Sequence, residues 1–119
     1  MLDETLAGVA AAVEGARAVL LVGMDGMIVA GKGEDDDLPW DLVVASYADL
    51  VRRVGSVHRE AGIGSPAEFV VTAADAALLF RAVTPEYALL AVLPPGGSLG
   101  RTRFELRKAA SRILPELEG

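Results

Sequence analysis

Residues 40–62, WDLVVASYADLVRRVGSVHREAG, carry the longest uninterrupted helical periodicity in the chain, and they constrain the fold more than any other stretch. At ~100° per residue, Trp40, Val43, Val44, Tyr47, Ala48, Leu50, Val51, Val54, Val57 and Ala61 fill an arc of about 180°, whereas one packed face needs little more than ~100°. Asp41, Ser46, Asp49, Arg52, Arg53, Ser56, Arg59 and Glu60 occupy the other half. A helix lying on its own sheet needs one apolar stripe, so an arc this wide predicts a second apolar surface to cover it. Within it, Val43, Tyr47, Leu50, Val54, Val57 and Ala61 step by four and three, the narrow seam of one helix packed along another. The inference is a helix-mediated homodimer; the alternative is a single subunit that wraps the whole arc in its own core.

Composition narrows the function classes. A chain of 119 residues is expected to form one domain, residues 1–119, with a core that needs neither disulfide nor metal. The net charge of −6 argues against broad binding of nucleic acid or anionic membrane. That charge is uneven: residues 1–50 hold ten acids and two bases (−8), residues 51–119 seven acids and nine bases (+2). The absence of cysteine excludes disulfides, thiolate zinc sites and thiol catalysis. No apolar run approaches the ~20 residues of a membrane helix, and the N-terminus lacks the basic flank of a signal peptide, so a cytoplasmic protein without membrane insertion is expected. Hydrophobic residues nevertheless make up 52% of the chain, again pointing to apolar surface covered by a partner.

In chain order, Leu2, Leu6, Val9, Ala10 and Val13 recur at helical spacing behind Asp3 and Glu4, predicting a helix over 3–15 that stops at Gly15. AVLLVG at 18–23 reads as a central strand covered on both faces. Asp25-Gly26 then signals a hairpin into MIVAG, through a type I′ turn. Residues 31–39, GKGEDDDLP, form a loop in which Asp37 is a candidate cap for the long helix. Strands are predicted over 67–72, 77–83 and 87–93, joined by connections too short for parallel crossovers. The 67–72 strand has no internal Lys or Pro to blunt an edge, so at the end of a sheet it invites pairing with a second copy. Ser98 is placed to cap a last helix over 99–117, where Leu99, Leu106, Ala109, Ala110, Ile113 and Leu117 share one face. Arg101, Glu105, Lys108 and Arg112 share the opposite one, and Phe104 sits among the polar residues. The result is an α/β (α+β) three-layer sandwich, α-β-β-α-β-β-β-α, with a five-stranded antiparallel sheet and helices on both faces.

This element order, the LLVGMDGMIVAG hairpin, the long helix after an acidic loop and the ending SLGRTRFELRKAASRIL resemble the Roadblock family, the dynein light chain roadblock type, including its bacterial MglB-like members. The likeness spans Leu6 to Leu114. It implies a homodimer whose central helices pack antiparallel and whose third strands join into one sheet; with the seam and the edge strand read above, the expected interface is Val43, Tyr47, Leu50, Val54, Val57, His58, Phe69 and Val71. It also implies a non-enzymatic regulator or scaffold, with a Ras-like small GTPase as partner in the bacterial members. A structural adaptor without effect on GTP turnover is the alternative; a PAS-like ligand sensor is disfavoured because the long helix leaves little room for a cavity.

Three motifs compete with that reading. Gly26 to Lys32 satisfies the first seven positions of a phosphate-binding loop, but Gly33 stands where Ser or Thr must hold magnesium, and the intervening residues read as a strand. Glu34, Asp35, Asp36 and Asp37 lack the ligand spacing of a calcium loop. His58, the sole histidine, has no nucleophile or carboxylate at helical spacing. No catalytic residue, metal site or cofactor is therefore expected. Arg101, Lys108 and Arg112 are the candidate docking strip for an acidic partner surface.

Overall fold

The computed structural model describes residues 1–33 and 38–118, with only the backbone of Lys32. The acidic run 34–37, including the proposed Asp37 cap, lies outside the described residues. The elements are α1 (Leu2–Ala12), β1 (Ala18–Gly23), β2 (Ile28–Gly33), α2 (Trp40–Ala61), β3 (Glu68–Thr72), β4 (Ala77–Ala82), β5 (Tyr87–Leu93) and α3 (Leu99–Glu118). The five strands form one sheet in the order β2-β1-β5-β4-β3. Every neighbouring pair is antiparallel.

The apolar runs select this order. All six residues of β1 are buried, as are six of the seven in β5, so these strands take the centre, where both faces are covered. Side-chain alternation then splits them into two cores. Val19, Leu21, Leu89, Ala91 and Leu93 face α1 and α3, meeting Leu6, Val9, Leu106, Ala109 and Ile113. Leu20, Val22, Leu90 and Val92 face the other way and meet Val44 and Val51 of α2. Leu99, Ala110 and Leu117 pack at the margin of the first core, completing the expected face of α3. Ser98 caps α3 as the sequence suggests, its Oγ accepting from Arg101 N–H at 3.1 Å.

Local details differ from expectation. The β1–β2 hairpin forms, but among the described residues no non-glycine residue, Asp25 included, has positive φ, which excludes a type I′ turn at Asp25-Gly26. Instead Gly26 N–H reaches the Gly23 carbonyl at 2.9 Å and Gly23 N–H reaches the Met27 carbonyl at 2.8 Å. Between Gly23 and Met27 only Gly26 takes positive φ, at 94°, giving a three-residue loop whose right-handed first part suits Met24 and Asp25. Asp25 stabilises it by accepting from Met27 N–H at 3.1 Å. Helix α1 ends at Ala12, not at 15, because Val13 turns extended and drops into the core. Helix α2 begins after Pro39 with no side-chain cap. It ends at left-handed Gly62, whose N–H and that of Ile63 reach back to the Arg59 and His58 carbonyls, satisfying groups the helix end leaves open.

Strand β2 runs on to Gly33, past its expected end. That extension requires the glycines: Trp40 lies where a Gly33 side chain would go, and Gly31 has φ +83° with its back against the Val19 carbonyl and Leu6. Replacing Gly31 with Ala therefore combines left-handed strain of ~1–3 kcal/mol with a collision against backbone that cannot yield. Equilibrium urea unfolding of Gly31→Ala is expected to give a loss of at least about 2 kcal/mol; unchanged stability would contradict this packing.

Candidate interaction surface

Helix α2 turns only part of its apolar arc to the sheet. Val44, Ala48, Val51 and Gly55 form the buried stripe. Burying each valine contributes roughly 1.5–3 kcal/mol. The predicted seam lies about 110° round the helix from that stripe. There Val43, Tyr47 and Val54 are half-buried, whereas Leu50 and Val57 are 40% and 62% exposed. Ile63, just past the helix, is 68% exposed. The arc is thus two faces, one used within the chain and one left over.

Edge strand β3 offers a second unpartnered feature on the sheet face that α2 covers. Phe69 and Val71 pair with Phe80 and Leu78 of β4 and share the sheet face that α2 covers. Both are half-buried. Because β3 ends the sheet, one side of its backbone has no ladder partner among the described residues. His58 is half-buried at the far end of α2, and its Nδ1 lies 3.2 Å from the Gly64 carbonyl. A carbonyl only accepts, so that nitrogen carries the proton and ties the helix to the loop after it. The eight residues expected at a dimer interface therefore divide into six on α2 and two on β3.

A groove of about 590 Å³ opens where the C-terminal half of α2 crosses the β3–β4 end of the sheet. Its walls are Val51, Gly55, Pro66, Phe69, Phe80 and Val83, with Arg52 and Arg59 also lining it. Arg52 Nη1 donates to the Met24 carbonyl, tying this flank of α2 to the β1–β2 loop.

On the opposite sheet face, Glu68 of β3 is clipped to α3. Arg103 Nε lies 2.8 and 2.9 Å from its two carboxylate oxygens. The Arg103 hydrogen bond, and secondarily the charges of Arg103, Arg81 and Arg107, hold the Glu68 carboxyl below its ordinary 4.5, against an opposing contribution from burial. This residue had no distinguishing sequence signal, since its partner is 35 positions away.

The candidate strip on α3 is less free than its spacing implies. Glu105, expected on the solvent side, is only 6% exposed. Its carboxylate draws Lys108 Nζ to 3.1 Å and Arg101 Nη2 to 3.6 Å. Its Oε2 makes no well-oriented hydrogen bond, so these contacts act as ion pairs rather than directed bonds. Lys108 also lies 4.8 Å from the centre of the Phe104 ring, which gives that exposed aromatic a local cation partner. Arg112 makes no ion pair among the described residues.

Residues Ile28–Gly33 of the apparent phosphate loop are strand. Among the described residues, no group of three or more His, Asp or Glu side chains could hold a metal ion. No described helix is long and apolar enough to cross a membrane.

The clip also sets a pH dependence. Glu68 has a depressed folded-state pKa, so its contribution is complete above the unfolded value near 4.5 and is lost as pH falls through the lower folded value. Arg103→Gln should lower the thermal midpoint at neutral pH. The gap from the parent should close as pH falls below 4.5; a gap constant from neutral to strongly acid pH would exclude the clip as its cause.

No protein-family model and no curated protein matches the sequence. Solved structures do. A Roadblock/LC7 domain from Streptomyces avermitilis aligns with TM-score 0.87 and 19% identity over 98% of each chain. An MglB in a tetrameric arrangement aligns with TM-score 0.88 and 19% identity over 98% of this chain and 88% of that one. MglC from Myxococcus xanthus has 28% identity and TM-score 0.66, over 98% and 99%. The fold is Roadblock-like, of the MglB kind.

Proposed function

We propose, with this Roadblock-like fold as premise, that the chain is a non-enzymatic, homodimeric regulator or scaffold that binds a small Ras-like GTPase and modulates its nucleotide state or location. One observation carries the dimer: an apolar seam on α2, set apart from the stripe that meets its own sheet, in a chain whose sheet also ends in the open edge β3. Exposing Leu50, Val57 and Ile63 to water is costly, and a second copy supplies the same seam in return. Val43, Tyr47, Leu50, Val54, Val57 and His58 would pack against the partner helix. Phe69 and Val71 would flank β3 paired with its symmetry mate. An MglB with a tetrameric arrangement supports self-association as a property of this fold.

The GTPase follows from the resemblance to MglB-like proteins, and the basic bias of residues 51–119 supports an acidic docking surface on that partner. Arg101, Lys108 and Arg112 of α3 are the proposed contacts. Arg112 should weigh most, because Glu105 engages the other two.

Two measurements test the reading. Light scattering at micromolar concentration should give twice the 12.4 kDa chain mass, and the double substitution Tyr47→Glu, Val54→Glu should halve it while leaving the circular dichroism spectrum intact. A parent protein that scatters as a monomer removes the dimer. Separately, binding to a candidate Ras-like GTPase loaded with a GTP analogue should weaken roughly tenfold on Arg112→Glu, a loss of about 1.4 kcal/mol. No nucleotide-dependent binding, and no change in GTP turnover when the protein is added, would discard the GTPase.

A further inference from the structure

We propose that the groove between α2 and the β3–β4 end of the sheet is a docking site for a segment of a partner protein that carries a bulky apolar side chain flanked by acidic residues. This deepens the partner-binding reading, and of the groove's walls only Phe69 is shared with the proposed dimer interface. The first observation is Gly55. It sits in the interior of a 22-residue helix, where glycine is less favourable than alanine by a large fraction of the helix-propensity scale. Nothing inside the chain demands it: a Cβ built there would meet Arg59 Nη1 at 3.5 Å and Pro66 Cδ at 3.9 Å, both ordinary contact distances. Gly31 and Gly33, by contrast, are imposed by their own neighbours. What a missing side chain at 55 does provide is width, since Gly55 lines the groove between Val51 and Pro66.

The second observation is the chemistry of the walls. Phe69, Phe80 and Val83 offer an apolar floor suited to one large aliphatic or aromatic side chain. Arg52 and Arg59 stand over it on one flank of α2. Among the described residues Arg59 makes no ion pair and Arg52 is paired with Asp49 at 3.4 Å, while the one acid lining the groove, Glu68, is already matched by Arg103, so Arg59 carries the uncompensated charge. The flank is therefore cationic, and acidic residues on either side of an apolar anchor complement it. The groove is also open to solvent along its mouth. A site for a small molecule encloses most of its ligand, whereas an open trench suits a loop or strand held by a larger body.

The third observation is position. Arg52 and Arg59 project about 170° round α2 from the Val43–Val57 seam, so self-association through that seam leaves this flank uncovered. One chain can thus pair with its copy and hold a further partner at once.

The test uses the full chain, labelled with ¹⁵N, titrated with a fluorescein-labelled peptide bearing a Leu-Phe pair between runs of Asp and Glu. Amide shifts should cluster at Gly55, Phe69 and Val83, and the same peptide with Lys in place of its acids should not bind. Gly55→Ala should raise the thermal midpoint by about 4 °C, because alanine favours the helix, and yet weaken the peptide about tenfold. Gly55→Leu, which plugs the groove, should abolish the shifts. The scattering mass should be unchanged in both variants, which separates this site from the dimer seam. The proposal is overturned if Gly55→Ala lowers the midpoint, if Gly55→Leu binds as the parent does, if the shifts fall elsewhere, or if decanoate fills the groove and the peptide does not.

Discussion

The fold depends on how a helix with too much apolar circumference meets a sheet that is apolar on both sides. Strands β1 and β5 cannot face water on either side, so helices must cover both faces. Helices α1 and α3 share one face; α2 alone serves the other. A single helix is about 10 Å across with its side chains, whereas five strands at ~4.8 Å spacing are more than twice as wide. Helix α2 therefore leaves the β3 side of its own layer incompletely covered, and Phe69, Val71 and Leu78 remain half-buried there. The surplus on the helix and the deficit on the sheet are two aspects of one mismatch.

That mismatch gives the molecule a division of labour between its layers. The α1–α3 layer is closed over its centre, with a hollow of about 430 Å³ left where α1 meets β1 and Gly31: Leu6, Leu106 and Ile113 are almost wholly hidden, and the Glu68–Arg103 clip fastens the edge strand to α3. The α2 layer is open, with the seam on one flank of the helix and the Gly55 groove on the other. Keeping the edge strand clipped on the closed side matters for the open side, since Phe69 belongs to the same strand as Glu68. An unfastened β3 would carry both the edge and one wall of the groove out of register.

Much of this was legible in the sequence because it depends on local periodicity. The arc over 40–62, the doubly apolar AVLLVG and YALLAVL, and Ser98 ahead of α3 are read from neighbours a few positions apart, where backbone geometry alone dictates which side chains share a face. The same logic located β3 and anticipated an edge. It failed where local preference is overruled by distant contacts. Asp25-Gly26 promised one turn and formed another, since the three-residue loop lets Asp25 stay right-handed. Glu105 belongs to the polar spacing of α3 but is hidden, with Lys108 and Arg101 folded over it.

By itself, then, the sequence determined the order and kind of the elements and the existence of an apolar surplus on α2, because hydrophobic spacing is a property of the chain before it folds. Only the tertiary structure decided which part of the arc meets the sheet and which remains outside. It alone joined Glu68 to Arg103 and made Gly55 the wall of a groove. Those outcomes depend on distances between residues far apart in the chain, and spacing along the chain carries no information about them.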